Sequence, residues 1–452
     1  MPHNLDAKST QSQLEALNDA LNDGTFAPVR RMLNTLTGPD IAHLIESAPP
    51  KQRAVLWKLL AIEREGEVLQ ELNEDIQADL VRGMETDELL SVLEGLEPDD
   101  IADILQQLPN RIIHEVLQAM DTQDRHRVER ILPYDEDSAG GLMNTDTVTV
   151  RPSLTLDVVL RYLRRHDEIP EMTDSIFVVN RSDHFLGALS INKLLVSDPN
   201  LTVREVMDTG VEPIPADMPD TQVAILFERH DWVSAPVVDT DNSLLGRITI
   251  DDVVDVIRED ADHSLMSLAG LDEDEDTFAT VRKTAPRRAI WLGVNLIAVF
   301  ISANVIGMFE QTIEKLVALA ILMPIVASMG GVAGSQTLTI IIRAIALGHI
   351  SRSNARWLYT REICVALING MLWAVTAGIL AALWFDDSTL GLVISMAMAI
   401  NLLVAAIGGV AIPLTLKAMK IDPALAGGMA VTTLTDAVGF FSFLGLATLF
   451  YG

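Results

Sequence analysis

Gly428, Thr432 and Asp436 recur at every fourth position of the apolar stretch 423–452, in which Asp436 is the only acid. On a helix this spacing puts all three on one face, small and polar within an apolar cylinder. A carboxylate surrounded by hydrocarbon is costly and is retained where it meets a water-filled path, an ion or a partner. No Lys or Arg lies deep in an apolar stretch to neutralise it; Arg343 sits at the end of one. The chemistry open to this face is cation handling. At 1.5 Å per residue, Asp436 lies about 20 Å beyond Pro423, near the middle of a bilayer. One carboxylate cannot hold a bare divalent ion there. Two copies facing each other across a dimer axis could hold it through its water shell. Magnesium suits such a site, because it dehydrates reluctantly and uses one or two carboxylates.

A second signal lies in the apolar stretch 316–342, which contains Pro324 and the run Met329-Gly330-Gly331-Val332-Ala333-Gly334-Ser335-Gln336. Such a run is expected to interrupt a membrane helix and free backbone carbonyls, which is tolerable only beside protein or a water-filled cavity. The competing reading is close helix packing through small residues.

The elements that must position these residues follow from charge-free stretches. These are 289–309, 316–342, 363–385, 388–416 and 423–452, the last broken only by Asp436. Each reaches the roughly 20 apolar residues that cross a bilayer, so five spans in membrane lipid are expected. Arg282, Lys283, Arg287, Arg288, Arg343, Arg352, Arg356, Arg361, Lys417 and Lys420 all map to one side, and only Lys315 to the other. By the positive-inside rule the crowded side is the cytoplasm. The N-terminal half is then cytoplasmic and Gly452 outside, in a cell (inner) membrane.

The whole chain has 33 Lys+Arg, 63 Asp+Glu and a net charge of −30. From Arg282 onward there are 11 basic and 7 acidic residues; before it, 22 and 56. An acidic soluble half argues against a nucleic-acid partner and suggests cations as ligands. The lone cysteine, Cys364, rules out an intrachain disulfide and a four-cysteine zinc site. The polar stretch Met1 to Thr25 lacks the apolar core of a signal peptide. No phosphate-binding loop, paired metal histidines or nucleophile triad is present, so the chain is not expected to be an enzyme.

Within the soluble half, Ile176-Phe177-Val178-Val179 and Leu186-Gly187-Ala188-Leu189-Ser190 return 59 residues later as Ala235-Pro236-Val237-Val238 and Leu245-Gly246-Arg247-Ile248-Thr249. Leu142-Met143-Asn144 likewise returns as Val206-Met207-Asp208. Each copy reads as strand, helix, strand, turn, strand, helix. This resembles a tandem pair of cystathionine-β-synthase (CBS) domains, a fold that often binds nucleotides or ions and dimerises. The ribose-binding pattern of those domains is met by Gly246, Thr249 and Asp252, whereas Lys193 occupies the acid's place in the first copy. A nucleotide such as ATP is thus expected, if anywhere, at Thr249 and Asp252; a capped helix start is the competing reading.

Residues 1–134 carry a weaker repeat at offset 60. Pro39-Asp40-Ile41-Ala42-His43-Leu44-Ile45 matches Asp99-Asp100-Ile101-Ala102-Asp103-Ile104-Leu105 in position and pattern. Short amphipathic helices stacked in a superhelix are expected. Asp99 and Asp103 are neighbours on one helix face, a repulsion that a cation would offset. An acidic connector follows the CBS pair, including Asp251, Asp252, Asp255, Glu259, Asp260, Asp262 and the block Asp272 to Asp276.

Taken together, the chain resembles the MgtE magnesium channel family. The order of parts matches: a helical N domain (1–134), an α/β CBS pair (135–263, copies 140–199 and 200–258), an acidic connecting helix (264–284) and a five-span helical membrane domain (285–452). Met323-Pro324, Gly330-Gly331, Gly334 and Gln336, Ile340 to Ala344, Phe309-Glu310, Arg361-Glu362, Asp422-Pro423-Ala424 and Val431 to Asp436 resemble its signatures. The chain departs at Val332 and Ser335, where the family usually or often has Asn, and at Gly427 and Met429, where it usually has Ser and Pro. The run Pro219 to Val223 is also poorer in carboxylates.

The resemblance implies a homodimer that admits Mg2+ and is closed by cytosolic Mg2+. The regulatory ion would bridge Asp99 and Asp103 to Asp252 and Asp255, with Glu259, Asp260, Asp262 and the pore-mouth Asp422 as further sensors. The competing functions are a secondary antiporter for divalent cations and a membrane-anchored nucleotide sensor.

Overall fold

The structure, a computed structural model, describes residue 23 and residues 26–165, 169–170, 172–271, 276–350 and 354–452. Most of the polar N-terminus, the acidic run 272–275 and Arg352 lie outside the described residues. The chain divides into two compact units: 1–261 with 274–280, and 262–273 with 281–452.

The first unit opens with short helices from Ala27–Leu33 to Thr122–Ile131. The 60-residue repeat falls on two of them, Gly38–Glu46 and Pro98–Gln106. Each has a proline in its first turn, where no N–H is needed. Thr37 and Asp40 close a capping box on the earlier helix. The matching apolar positions Ile41, Ala42, Leu44, Ile45 and Ile101, Ala102, Ile104, Leu105 are all buried. These residues share one continuous core with Val223, Phe227, Ile248, Val253 and Val256 of the second repeat copy and the helix after it.

The 59-residue repeat folds as two three-stranded sheets. β1 (Thr149–Val150) pairs parallel with β2 (Ser175–Val179), which pairs antiparallel with β3 (Phe185–Ser190). β4 (Ile214–Pro215), β5 (Ser234–Val238) and β6 (Leu244–Thr249) repeat that order, including the irregularity near the end of the second strand. The copies exchange their leading segments. Asn144 bridges to Arg247 on β6, and Asp208 bridges to Ala188 on β3. This exchange explains the repeated glycines. A Cβ on Gly187 would lie 2.2 Å from the Asp208 carbonyl oxygen, and one on Gly246 2.6 Å from that of Asn144. Only glycine permits backbones to approach so closely.

The connecting helix is Ile250–Leu268, and the first membrane helix begins at Val281. The sequence-expected range 264–284 therefore takes in the end of one helix and the start of the next. The acidic run 250–262 is helical because Val253 and Val256 pack into the core, while Asp251, Asp255, Glu259, Asp260 and Asp262 are exposed and Asp252 is partly covered.

Five helices of the second unit are long and apolar enough to cross a membrane, as the charge-free stretches predict. They are Val281–Gly307, Ala318–Ala346, Ala355–Phe385, Ser388–Ala418 and Pro423–Tyr451, numbered here spans one to five. Span four is the most enclosed, packing against spans two, three and five. The expected interruption of span two is absent: Ala318–Ala346 is one helix through Pro324 and the glycine run. The reason is steric. Gly330 and Gly334 are buried contact points, and a Cβ on Gly334 would lie 2.4 Å from Val431 of span five. The glycines serve close packing, the second of the two readings.

Candidate cation sites

Span five sorts its residues by face. Gly427, Val431, Thr435 and Gly439 are buried against the rest of the unit. One position further on, Gly428, Thr432 and Asp436 form a stripe that the chain leaves uncovered or half-covered. A Cβ on Gly428 would find its nearest neighbour, the Leu268 carbonyl oxygen, 4.0 Å away. Thr432 turns its hydroxyl back onto the Gly428 carbonyl at 2.9 Å. Gly428 and Asp436 are half-covered and Thr432 is exposed, whereas the neighbouring stripe is buried.

At the start of the span, Asp422 accepts hydrogen bonds from the amides of Ala424 (2.9 Å) and Leu425 (3.1 Å). It is a helix cap, as its place before Pro423 suggests. Its carboxylate also meets His263 Nε2 at 3.3 Å. The end of the connecting helix, through His263 and Leu268, therefore lies beside Asp422 and Gly428.

The second site lies in the first unit, where the N-terminal helices meet the repeat. Asp99 is 6% exposed, and one carboxylate oxygen of each of Asp99 and Asp103 is buried without a partner. Burial raises the Asp99 carboxyl well above its ordinary range, with Asp252, Asp100 and Glu97 adding like charge. Burial likewise pushes Asp100 to about 7, with Asp252 and Glu97 next in effect. Asp103 rises to about 8, by burial first and then Asp100, Glu74, Asp252 and Glu259. Asp252 rises to about 7 through burial and Asp251. Glu136 rises to about 9 through burial, Asp103 and Glu74. These carboxyls are crowded, and each resists ionisation because water is excluded and its neighbours share its sign.

Of the residues singled out in the sequence, Asp99, Asp103, Asp252 and Glu259 influence one another here. Asp255 is exposed and pairs with Arg258 at 3.1 Å. Asp260 and Asp262 are exposed on the same helix. Asp100, Glu97, Glu74 and Glu136 were not legible as members: only the tertiary fold brings Glu97 near Asp252 and Glu136 near Asp103. Among the described residues, no three His, Cys, Asp or Glu side chains close into a metal-binding shell. The donor chemistry nonetheless fits a hydrated hard cation, with paired carboxylates and orphaned buried oxygens.

Thr249 precedes the connecting helix, and Asp252 accepts hydrogen bonds from its amide (3.3 Å) and its hydroxyl (2.9 Å). The Thr249 hydroxyl also donates to Asp251. The two residues sequence reasoning set aside for a nucleotide are engaged with each other as a helix cap.

An integral membrane protein with five spans, a helical N-terminal domain and a repeated α/β pair is what these features define. Family comparison names the class more narrowly. A divalent cation transporter profile, MgtE, matches residues 323–446; the MgtE intracellular N domain matches 37–137; CBS domains match 139–198 and 203–259. The magnesium transporter MgtE of Bacillus subtilis (strain 168) is 31% identical over 432 residues, 95% of both chains. That of Thermus thermophilus is 30% identical over 440 residues, covering 96% of this chain and 97% of its own. A crystal structure of the cytosolic domain of the Mg2+ channel MgtE in complex with ATP is 34% identical, with a TM-score of 0.48, covering 53% of this chain and 98% of its own. The chain belongs to the MgtE family of divalent cation transporters.

Proposed function

We propose that the chain carries Mg2+ into the cell along a pathway lined by Gly428, Thr432 and Asp436 of two copies. The observation that supports this reading is the polar stripe on span five: its own chain buries the stripe one position back and leaves Thr432 exposed and Asp436 half-covered, free to meet a second copy and an ion. The names of the full-length relatives support magnesium as the cargo. In this mechanism the soluble half is cytoplasmic and the C-terminus outside, in keeping with the ten basic residues on one side of the spans.

Cytosolic Mg2+ closes the pathway in this reading. Crowded carboxylates at Asp99, Asp103 and Asp252, with Asp255, Glu259, Asp260 and Asp262 along the connecting helix, repel one another when ionised. A divalent cation offsets that repulsion and favours the compact state. The ion shifts the equilibrium because it binds that state better. Asp422 and His263 lie where the end of the connecting helix meets span five, and would respond to its position. ATP is assigned to Thr249 and Asp252 on the sequence pattern alone, and would have to break their mutual hydrogen bonds.

Magnesium uptake into proteoliposomes tests the transport limb, and single-channel currents in a planar bilayer separate a channel from an antiporter. For the sensing limb, the double substitution Asp252→Asn with Asp255→Asn should weaken inhibition by magnesium on the cytosolic side. Inhibition unchanged in that double variant removes both residues from the sensor.

A further inference from the structure

Span four carries one buried polar side chain where an aliphatic one would pack. Asn401 is 1% exposed, and Ala397, Met398, Leu402 and Ala405 of the same helix are buried around it. Its Nδ2 donates to the Val326 carbonyl of span two at 2.9 Å, while its Oδ1 has no partner. An amide half-satisfied inside a membrane domain is costly.

Two other helices have made room for it. A Cβ on Gly330 of span two would lie 2.2 Å from Asn401 Nδ2, and a Cβ on Gly439 of span five 2.7 Å from the same atom. Val326 is two residues beyond Pro324, and Gly330 is one turn further along. Gly439 is three residues beyond Asp436. One amide therefore touches the glycine run of span two and the turn of span five next to the pathway carboxylate.

We propose that Asn401 is a positioning residue for permeation: its hydrogen bond fixes span four against span two, its close contact with Gly439 seats span five on the same amide, and together they set where Asp436 stands along the pathway. This rests on the transport reading given above. An apolar residue of similar shape would fill the space but leave those helices to slide. A misplacement of about 1 Å at a functional group is enough to cost on the order of 100-fold in rate.

The test uses the full-length protein in proteoliposomes, with Mg2+ uptake counted per folded molecule and thermal unfolding measured on the same preparations. Asn401→Leu keeps the branching and heavy-atom count of the side chain, is somewhat bulkier, and removes the donor. It should fold and yet carry Mg2+ at least about tenfold more slowly, with a changed ratio of Mg2+ to Co2+ uptake. Gly330→Ala should lower the unfolding temperature through its clash with Asn401. Adding Asn401→Ala should restore that temperature by removing the clash, while uptake stays low because the hydrogen bond is gone.

Uptake that recovers in step with stability in the double variant, or Asn401→Leu protein with wild-type uptake and ion ratio, overturns the positioning role and makes Asn401 a spacer. Asp436→Ala is run alongside: if wild type takes up no Mg2+, or Asp436→Ala takes up as much as wild type, the pathway reading fails and the positioning role falls with it.

Discussion

Thr435 and Asp436 are adjacent in sequence and differ in environment. Thr435 is fully buried and donates to the Thr432 carbonyl at 3.0 Å, whereas Asp436 is half-covered on the next face of the same helix. The difference follows from 100° of rotation per residue, and it is why spacing alone picked out Gly428, Thr432 and Asp436. The residues on the buried side were harder to read. Gly334 looked like a helix breaker and is instead the seat of Val431. Gly334→Ala should therefore destabilise the membrane unit by about 1–3 kcal/mol through overpacking. Thermal unfolding in detergent measures this, and Val431→Ala should relieve most of it. A Gly334→Ala protein as stable as wild type would mean that the helices part without cost. Asn401 was missed altogether, since nothing in its apolar sequence neighbourhood marks a single asparagine as shared by three helices.

At the scale of elements, the helix Pro98–Gln106 and the start of Ile250–Leu268 bring like charges together in the soluble unit. The sign of the pH dependence follows. Asp99, Asp100, Asp103, Asp252 and Glu136 hold their protons more tightly in the folded unit than in the unfolded chain. Their contribution to stability is complete below the ordinary carboxylate range. It is lost as pH rises through about 7 for Asp100 and Asp252, about 8 for Asp103 and about 9 for Glu136. Without divalent cations the soluble unit should melt at a lower temperature at pH 8.5 than at pH 6. Added Mg2+ should raise that temperature more at the higher pH, where the carboxylates are ionised. Calorimetry on the full-length protein checks both, and an equal magnesium effect at the two pH values would contradict the assignment.

A second contact at this scale is an ion pair far apart in sequence. Arg53 makes a bidentate pair with Asp276, at 2.5 and 2.7 Å, with each side chain 8% exposed. Its guanidinium also donates to the Ile45 and Glu46 carbonyls at 3.0 Å. Asp276 lies in the segment 276–280 that belongs to the first unit, and this pair fastens that segment to the N-terminal helices. Arg53→Ala should cost the soluble unit about 3–5 kcal/mol, because it strands a buried carboxylate. Urea unfolding followed with the Asp276→Asn and double variants would show whether the loss belongs to the pair.

At the scale of the molecule, the architecture was legible because its signals are long: charge-free stretches of twenty or more residues, a repeat at offset 59 and a one-sided distribution of Arg and Lys. The helical N domain, the repeated three-stranded sheets and the five spans all follow from them. The extent of the connecting helix was less legible, since an acidic run gives no boundary and its helix is set by Val253 and Val256 in the core. The carboxylate cluster was half legible. Asp99 and Asp103 share a visible i, i+4 spacing, whereas Glu136 and Asp252 join them only through the packing of the N domain on the second repeat copy. The proposed pathway uses the Asp436 face of two copies, so light scattering of the detergent-solubilised protein should give two chains per particle.

The most direct measurement is Mg2+ uptake into proteoliposomes by wild type and Asp436→Asn, reconstituted at equal amounts of folded protein. Asparagine keeps the shape of the side chain and the packing of span five and removes only the charge. Uptake by wild type with loss of most of it in the variant is the expected result. Equal uptake by the two proteins would mean that magnesium does not pass the Asp436 carboxylate.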